Sequence, residues 1–182
     1  MPRVLVPLAQ GCEEIEAVTI IDILRRAGIE VISAGLDGQP VRASRGVVLL
    51  PDTTLDEVLG QDFDMLVLPG GQPGTNNLKA DARIVALLQK MARDGKYTCA
   101  ICAAPAVLGH AGLLQDKRAT CYPGCLDKAS GALLSDAAVV HDGKVITSRG
   151  PGTAIDFTLE LVEVLAGKSV RAEVEGALQR ST

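Results

Sequence analysis

Short runs of consecutive aliphatic residues alternate along the chain with stretches whose apolar positions recur at helical spacing. The runs predict buried strands at residues 4–8, 30–34, 47–50, 65–68, 98–101 and 145–148. The periodic stretches predict helices at residues 15–27, 80–93, around 106–108, 151–165 and 170–178. Strands and helices in this order form βαβ units. The pattern therefore predicts an α/β fold, with a doubly wound, mostly parallel sheet and helices on both faces.

Glycine and proline mark several boundaries of these elements. Gly28 suits the position just after the first helix, and Pro151 suits the first turn of a late one. Residues 41–50 are ambiguous, because Ser44, Arg45 and Gly46 in their middle also permit a hairpin on one edge of the sheet. No linker, repeat or low-complexity segment divides the chain, so we expect a single domain over residues 1–182.

Composition and charge exclude several classes of function. Of 182 residues, 47% are hydrophobic and 22% charged, which is typical of a globular protein. The net charge is −4 without a basic tract, so nucleic acid is an unlikely partner. The apolar runs are too short to cross a bilayer, and the N-terminus does not resemble a signal peptide. We therefore expect a cytoplasmic protein without a membrane partner, whose five cysteines are free thiols.

The strongest candidate for chemistry is Cys102, which lies between a buried strand and a helix. The small residues Ala103 and Ala104 allow the backbone to turn sharply there and leave the sulfur accessible. A helix N-terminus supplies N–H groups that stabilise a thiolate, so this position predicts a lowered thiol pKa. A buried, unreactive cysteine is the common alternative, but the turn position favours a nucleophile.

Two other segments leave strands at the same edge of the sheet, where ligands bind in open α/β folds. Residues 69–74 read Pro-Gly-Gly-Gln-Pro-Gly, which lacks the spacing of a dinucleotide or phosphate loop. We interpret Gly70 and Gly71 as a nest of backbone N–H groups. Together with Ala103 they are the predicted oxyanion-binding residues beside Cys102.

Residues 11–16 contain the acids Glu13, Glu14 and Glu16. On a helical wheel Glu16 lies at the border of the buried side, where a carboxyl has a raised pKa and can carry a proton. Glu13 lies still farther from the polar stripe, so the wheel alone does not choose between these two. Glu14 is interpreted simply as an acid that favours a helix N-terminus.

The remaining cysteines nearly match a four-thiolate zinc pattern, with Cys99 and Cys102 followed by Cys121 and Cys125. We reject this site, because residues three apart in a strand point to opposite faces. No metal and no cofactor are therefore predicted. His110 and His141 are interpreted as structural or solvated residues, which leaves Glu16 as the better proton carrier.

Six segments in order along the chain carry a family resemblance. They are Glu13-Glu14-Ile15-Glu16, Arg25-Arg26-Ala27-Gly28, Ser44-Arg45-Gly46, Leu68-Pro69-Gly70-Gly71, Ala100-Ile101-Cys102-Ala103-Ala104-Pro105 and Thr147-Ser148-Arg149-Gly150-Pro151-Gly152-Thr153. On these motifs the chain resembles the ThiJ/PfpI superfamily (class I glutamine amidotransferase-like), in the branch of the parkinsonism-associated protein deglycase and YajL. The resemblance implies a flavodoxin-like fold and a homodimer. It also implies that Cys102 is the nucleophile, Glu16 the proton-carrying acid and Gly71 the glycine whose N–H faces the substrate oxygen.

The activities implied by the resemblance are glutathione-independent glyoxalase and protein deglycase, with small 2-oxoaldehydes or glycated protein side chains as substrates. Protection against oxidative stress and chaperone-like behaviour are also implied. The alternative is a redox-sensing stress protein whose cysteine is oxidised to sulfinate without turnover. Two departures matter: Tyr122 stands where some relatives have histidine, and Ala103 stands where peptidase relatives have histidine. The second argues against protease activity, and the missing histidine also disfavours an amidotransferase-like hydrolase.

Overall fold

The computed structural model describes residues 1–127 and 130–180. A seven-stranded sheet forms its centre, in the order β10-β11-β7-β6-β1-β2-β5. Its strands are β1 (Arg3–Leu8), β2 (Glu30–Gly35), β5 (Thr53–Thr54), β6 (Met65–Leu68), β7 (Tyr97–Ile101), β10 (Val139–Asp142) and β11 (Val145–Ser148). Every pairing is parallel except the one between β10 and β11.

Seven α-helices in the described part of the chain surround the sheet. They are α1 (Glu14–Arg26), α2 (Leu55–Val58), α3 (Gly74–Ala80), α4 (Ala82–Arg93), α5 (Pro105–His110), α6 (Ala154–Ala166) and α7 (Lys168–Ala177). Alternation along the strands sends side chains to the two faces of the sheet. Val4 and Val67 pack with α1 and α6 on one face, while Leu5 and Leu68 pack with α4 and α5 on the other. The predicted flavodoxin-like, doubly wound sheet is therefore confirmed.

Two predicted elements differ in detail because of local caps and turns. The helix predicted at 80–93 is α4, which starts two residues later, at Ala82, because Asp81 takes an extended conformation and its side chain accepts the Arg83 N–H at 2.9 Å as an N-cap. Ala80 ends the separate helix α3, which was not predicted. Pro151 begins a 3-10 turn, Pro151–Thr153, and the α-helix starts only at Ala154.

The ambiguous stretch 41–50 is a hairpin, but it is not an edge of the main sheet. Its strands β3 (Val41–Arg42) and β4 (Val48–Leu49) pair only with each other, and β5 supplies the edge beside β2. The antiparallel edge strand β10 was not predicted, nor was the small parallel pair β8 (Arg118–Ala119) and β9 (Leu133–Leu134). Strands of two residues carry too little periodicity to be recognised from sequence.

From the neighbouring strands β1 and β6 the chain continues toward opposite edges of the sheet, so the topological switch point lies between them. The connection from β1 crosses through α1 to β2 on one side, and the connection from β6 crosses through α3 and α4 to β7 on the other. The carboxyl ends of β1, β6 and β7 therefore open onto one crevice, which is where open α/β sheets bind ligands. No helix among the described residues is long and apolar enough to span a membrane.

Candidate active site

Cys102 lies at a sharp turn between β7 and α5. Its φ of +64° is in the left-handed region, which a residue with a Cβ adopts at a cost in free energy. Hydrogen bonds hold both of its backbone groups: its N–H donates to the Ser148 carbonyl at 2.9 Å, and its carbonyl accepts the Tyr122 N–H at 2.8 Å. The residue is 8% exposed. The turn predicted from the small residues after Cys102 is therefore present.

Glu16 reaches the crevice from the first turn of α1. Glu13 is the N-cap, and its carboxylate accepts the Glu16 N–H at 2.8 Å, so Glu13 is occupied in starting the helix. The Glu16 side chain is 0% exposed, and its Oε2 accepts the Gly70 N–H at 2.7 Å. Of the two acids that the helical wheel left open, the structure therefore brings Glu16, and not Glu13, to Gly70 and Cys102.

The other carboxyl oxygen of Glu16, Oε1, is buried without a hydrogen-bond partner among the described residues. Burial raises the pKa of this carboxyl to about 7, against the lowering effects of the Gly70 N–H and the Cys102 thiol, while the charge of Glu13 raises it further. A proton on the unpaired oxygen would remove the cost of a buried bare acceptor. Glu16 can therefore hold or release a proton near neutral pH, as the sequence analysis expected.

Close packing explains the two glycines after β6. A Cβ on Gly70 would lie 2.7 Å from the Cβ of Cys102 and 2.9 Å from Glu16 Oε2, so a larger residue would displace these two side chains. Gly71 has φ +89° and its α-carbon faces the backbone of Cys12 and Glu13. The loop is glycine-rich because it is pressed between two other loops of the site.

The N–H groups at this edge are divided between two acceptors. That of Gly70 donates to Glu16, so it is not free for a substrate oxygen. Those of Gly71 and Ala103 are directed at the Cys102 sulfur. Of the three predicted oxyanion-binding residues, Gly71 and Ala103 therefore have their N–H groups beside the Cys102 sulfur, and the Gly70 N–H holds Glu16.

The thiol of Cys102 has a raised pKa, which is opposite to the sequence prediction. Burial raises the pKa of Cys102 to about 12, the charge of Glu16 adds to the increase, and the N–H groups of Gly71 and Ala103 only partly offset it. The prediction counted the amide dipoles of the turn. It omitted desolvation and the carboxylate, which become visible only when three distant segments meet.

Cys102 and Glu16 therefore titrate as a pair. Both are buried in one crevice, so their first ionisation puts a single negative charge on the pair and leaves one proton between them. Moving that proton from sulfur to the carboxyl yields a thiolate without changing the total charge. A neutral Glu16 also removes the second-largest cause of the raised thiol pKa.

Glu14 has a structural role that the sequence analysis missed. Its carboxylate accepts hydrogen bonds from the Ser44 hydroxyl at 3.0 Å and the Arg45 N–H at 2.8 Å, and so attaches the β3–β4 hairpin to α1. Burial acts to raise its pKa, but these hydrogen bonds and that of its own backbone hold the pKa of Glu14 below the ordinary value. Its interpretation as only a favourable helix-terminal charge was incomplete.

The histidines and the cysteine Cys99 that the sequence analysis considered do not hydrogen-bond to Cys102 or Glu16 among the described residues. His141 contacts Glu160 Oε1 at 3.0 Å on the antiparallel edge strand, and His110 ends α5. Cys99 is fully buried within β7. The alternation used to separate Cys99 from Cys102 stops at Ile101, because Cys102 leaves the strand conformation. Within residues 1–127 and 130–180, no three His, Cys, Asp or Glu side chains form a group that could hold a metal.

A family model described as DJ-1/PfpI matches residues 2–164. The chain belongs to the DJ-1/PfpI family. Drosophila melanogaster dj-1beta is 45% identical over 96% of this chain and 95% of its own length. Arabidopsis thaliana DJ-1 homolog B is 44% identical over 97% of this chain, which spans 41% of that longer protein. A Caenorhabditis elegans relative named glutathione-independent glyoxalase DJR-1.2 is 39% identical over 87% of this chain and 85% of its own.

Solved structures of DJ-1/PfpI proteins have the same fold. The crystal structure of Drosophila DJ-1beta superposes with a TM-score of 0.94 at 43% identity, covering 100% of this chain and 99% of that one. A structure titled Toxoplasma gondii DJ-1, oxidized, also has a TM-score of 0.94, at 39% identity with full coverage of both chains. The family predicted from the sequence motifs is confirmed.

Proposed function

We propose that the chain is a cysteine-dependent glyoxalase and protein deglycase. Its substrates are 2-oxoaldehydes such as methylglyoxal and glyoxal, and their early adducts on protein side chains, and its products are 2-hydroxy acids. The physiological role is protection against carbonyl and oxidative stress. The observation that carries the proposal is that Cys102 and Glu16 are both buried and both border Gly70, where an added Cβ would lie 2.7 Å from the Cβ of Cys102 and 2.9 Å from Glu16 Oε2.

The first step is attack of Cys102 on the aldehyde carbon. The sulfur forms a bond to carbon, and the carbonyl π electrons move to oxygen to give a hemithioacetal alkoxide. Glu16, which holds the pair's proton at this stage, protonates that oxygen. The N–H groups of Gly71 and Ala103, which act on the sulfur in the free protein, are the donors that would stabilise this oxygen while it is charged.

The second step moves hydrogen between the two carbons of the substrate. The Glu16 carboxylate removes the proton from the former aldehyde carbon, and a proton returns to the neighbouring carbon through an enediol. The product is a 2-hydroxy thioester on Cys102. Water then cleaves the carbon–sulfur bond, which releases the 2-hydroxy acid and restores the thiol without any external oxidant or reductant.

A relative supports this substrate class. The C. elegans protein that is named a glutathione-independent glyoxalase is 39% identical to this chain over 160 residues. No cofactor takes part in the proposed steps.

The test is consumption of methylglyoxal by the purified chain under reducing conditions, with lactate identified as the product. Cys102→Ser should abolish turnover, whereas Cys125→Ser, outside the crevice, is the matched control and should retain it. Turnover by Cys102→Ser at the level of the unmodified chain would end the proposal. Release of lactate from methylglyoxal-modified peptides, measured in the same way, tests the proposed deglycase activity.

The second candidate function is redox sensing at the same sulfur, without physiological turnover. The structure of the T. gondii relative is titled as oxidized, which favours this candidate. Mild peroxide treatment followed by mass spectrometry tests it. Selective sulfinate at Cys102 together with negligible aldehyde turnover would favour the sensor over the enzyme.

We further propose a cytoplasmic homodimer. Five apolar side chains are exposed on α1 and around the hairpin that Glu14 attaches to it: Ile15, Val18, Val47, Val48 and Leu50. An exposed apolar patch of this kind marks a protein interface. Light scattering should give the mass of two chains, and Val48→Glu should give that of one. The five free cysteines support a reducing compartment.

A further inference from the structure

Two buried hydroxyl groups at the end of β11 take no part in the proposed mechanism. Thr147 and Ser148 are both 0% exposed, although both carry a polar side chain. Strand β11 pairs with β7, and Ser148 lies directly beside Ile101, the residue before Cys102. A buried hydroxyl needs hydrogen-bond partners, because an unpaired one costs free energy. The partners of these two hydroxyls therefore show which segments they hold in place.

Ser148 forms the hydrogen bond between β11 and the start of the turn at Cys102. Its carbonyl accepts the Cys102 N–H at 2.9 Å, at the point where the chain leaves β7. Its hydroxyl donates to the Ala138 carbonyl at 2.7 Å, which attaches it to the segment that leads into β10. The same hydroxyl oxygen lies 2.7 Å from that of Thr153. The residue that holds the Cys102 N–H is therefore itself anchored from two directions.

Thr153 closes the loop that follows β11. Its hydroxyl oxygen accepts the Gly150 N–H at 3.2 Å and lies 3.0 Å from the Gly150 carbonyl oxygen. Its backbone N–H donates to that same carbonyl at 3.0 Å. Because the single proton of Ser148 goes to Ala138, the proton between the two hydroxyls comes from Thr153. The two hydroxyls thus join the loop, the end of β11 and the approach to β10 in one network.

Thr147 attaches the second segment that supports Cys102. Its hydroxyl oxygen accepts the Thr120 N–H at 2.9 Å. Tyr122, two residues farther along, donates its N–H to the Cys102 carbonyl at 2.8 Å. Cys102 needs support on both sides, because its φ of +64° is unfavourable and persists only where the surrounding structure enforces it.

We propose that the hydroxyls of Ser148 and Thr153 position the nucleophile, by holding the Ser148 carbonyl where it keeps the backbone of Cys102 in its strained turn. They are positioning residues and not catalytic ones, since in the described part of the chain their hydroxyls bond to neither the Cys102 side chain nor Glu16. The inference deepens the proposed function and rests on it where turnover is concerned. Without the network the turn relaxes, and the sulfur moves away from Glu16 and toward water.

Relaxation of the turn changes two properties of the sulfur in opposite directions. Turnover falls, because a displacement of about 1 Å from the productive geometry can cost about 10²-fold in rate. Alkylation of Cys102 by a small reagent becomes faster, because burial is the largest cause of its raised thiol pKa and is reduced. General unfolding would instead expose every cysteine, including Cys99, which is 0% exposed within β7.

The experiment measures the rate of iodoacetamide alkylation at Cys102 and Cys99 in the full, reduced chain under conditions where it is folded. Tryptic peptide 97–117 contains both cysteines, and fragment ions in mass spectrometry distinguish them. Thr153→Val removes the hydroxyl and keeps a similar shape. We expect it to raise the rate at Cys102 at least about fivefold while Cys99 stays unreacted.

Three further variants provide the controls. Thr153→Ser restores the hydroxyl and should return the alkylation rate to that of the unmodified chain. Thr158→Val is the matched control in α6, where it removes a buried hydroxyl that donates to the Ala154 carbonyl at 2.7 Å, and it should leave the rate at Cys102 unchanged. Ser148→Ala should behave like Thr153→Val, so that the proposal can still be tested if one of these two fails to fold.

The aldehyde assay gives a second readout on the same variants. Thr153→Val should lower kcat about tenfold and leave KM within about twofold, because its hydroxyl positions the sulfur. The inference is overturned if alkylation of Cys102 is unchanged or slower in the variants that lack a hydroxyl, if Cys99 reacts in parallel, or if Thr153→Ser behaves like Thr153→Val. Alkylation requires no aldehyde turnover, so an unmodified chain that does not consume aldehyde would end the proposed function and leave this test decisive.

Discussion

Glu14 and Glu16 lie two positions apart in the first turn of α1, and their environments are opposite. Glu14 is 8% exposed, and its two oxygens accept separate hydrogen bonds from the hairpin, so it is held as a charged, structural group. Glu16 is 0% exposed, accepts a single backbone N–H, that of Gly70, and has one oxygen that finds no partner within residues 1–127 and 130–180. Both are buried carboxyls, so burial alone does not make an acid functional. The number of donors that reach the carboxylate decides whether it stays charged or carries a proton.

The largest expected effect is the difference in kcat/KM between variants of the two acids in the aldehyde assay. Glu16→Gln should lower kcat/KM by about 10²–10⁴-fold, because the proton carrier is lost. Glu14→Gln should stay within about threefold, since its contacts are with the hairpin and not with the sulfur. Equal losses in both variants would remove the functional distinction between the two acids.

The same Glu16→Gln variant separates proton transfer from simple activation of the thiol. Because the charge of Glu16 raises the pKa of Cys102, its removal should lower that pKa from about 12. Thiolate absorbance in the ultraviolet, followed against pH, measures the change, with Cys102→Ser as the blank. A more acidic thiol together with lower turnover would identify proton transfer as the contribution of Glu16. An unchanged thiol pKa would show that the two groups are not coupled.

The buried carboxyl of Glu16 should also change how the free energy of unfolding depends on pH. Its pKa is about 7 in the folded chain against an ordinary 4.5, so the folded state holds the proton more tightly than the unfolded state does. Its contribution to stability is fully present below about pH 4.5 and is lost as the pH rises through about 7. Glu16→Gln should therefore raise the free energy of unfolding by up to about 3 kcal/mol at pH 8.

That gain should disappear below pH 4.5, where Glu16 is protonated in both states. Denaturant unfolding at several pH values measures the difference between the two chains. A gain of equal size at every pH would mean that the substitution acts through packing instead of through the proton.

Glu14 should show a smaller effect with the opposite sign. Its folded pKa is below the ordinary value, so it contributes stability above pH 4.5 that is lost as the pH falls through the folded pKa. Glu14→Gln should cost about 1 kcal/mol at neutral pH, because one charged acceptor at the hairpin is removed. The same unfolding series measures it, and a stabilised Glu14→Gln would contradict the comparison.

The smallest expected effect concerns Tyr122, the residue that stands where some relatives have histidine. It is 52% exposed, and its contact with Cys102 is made by its backbone N–H. Tyr122→Phe keeps that N–H, so kcat/KM should change by less than about twofold. A loss as large as that of Glu16→Gln would show that the phenol, and not Glu16 alone, moves protons at the site.

Much of this site could be predicted from the sequence. The strand–Cys–Ala–Ala–Pro pattern predicted the sharp turn at Cys102, because small residues at the end of a buried strand permit it. The glycine pair located the N–H groups. Neither pattern could assign Gly70 to Glu16 and Gly71 to the sulfur, because that division depends on how closely the three loops approach each other.

The sequence was a poorer guide wherever the outcome depended on short elements or on partners distant in the chain. The strands β3, β4, β5, β8 and β9 have two residues each, too few to show a period. The hydrogen bond from the Ser44 hydroxyl to Glu14 joins residues thirty positions apart, and no local sequence pattern predicts it.

By itself the sequence determined the order of the longer strands and helices, the family and the candidates for the reacting residues, since local periodicity and turn chemistry depend on neighbouring positions. Only the tertiary structure decided which acid meets the sulfur, which N–H serves which acceptor, and that the thiol's pKa is raised and not lowered. Those properties depend on desolvation and on charges a few ångströms apart. Both arise only when the ends of β1, β6 and β7 are brought to the same edge of the sheet.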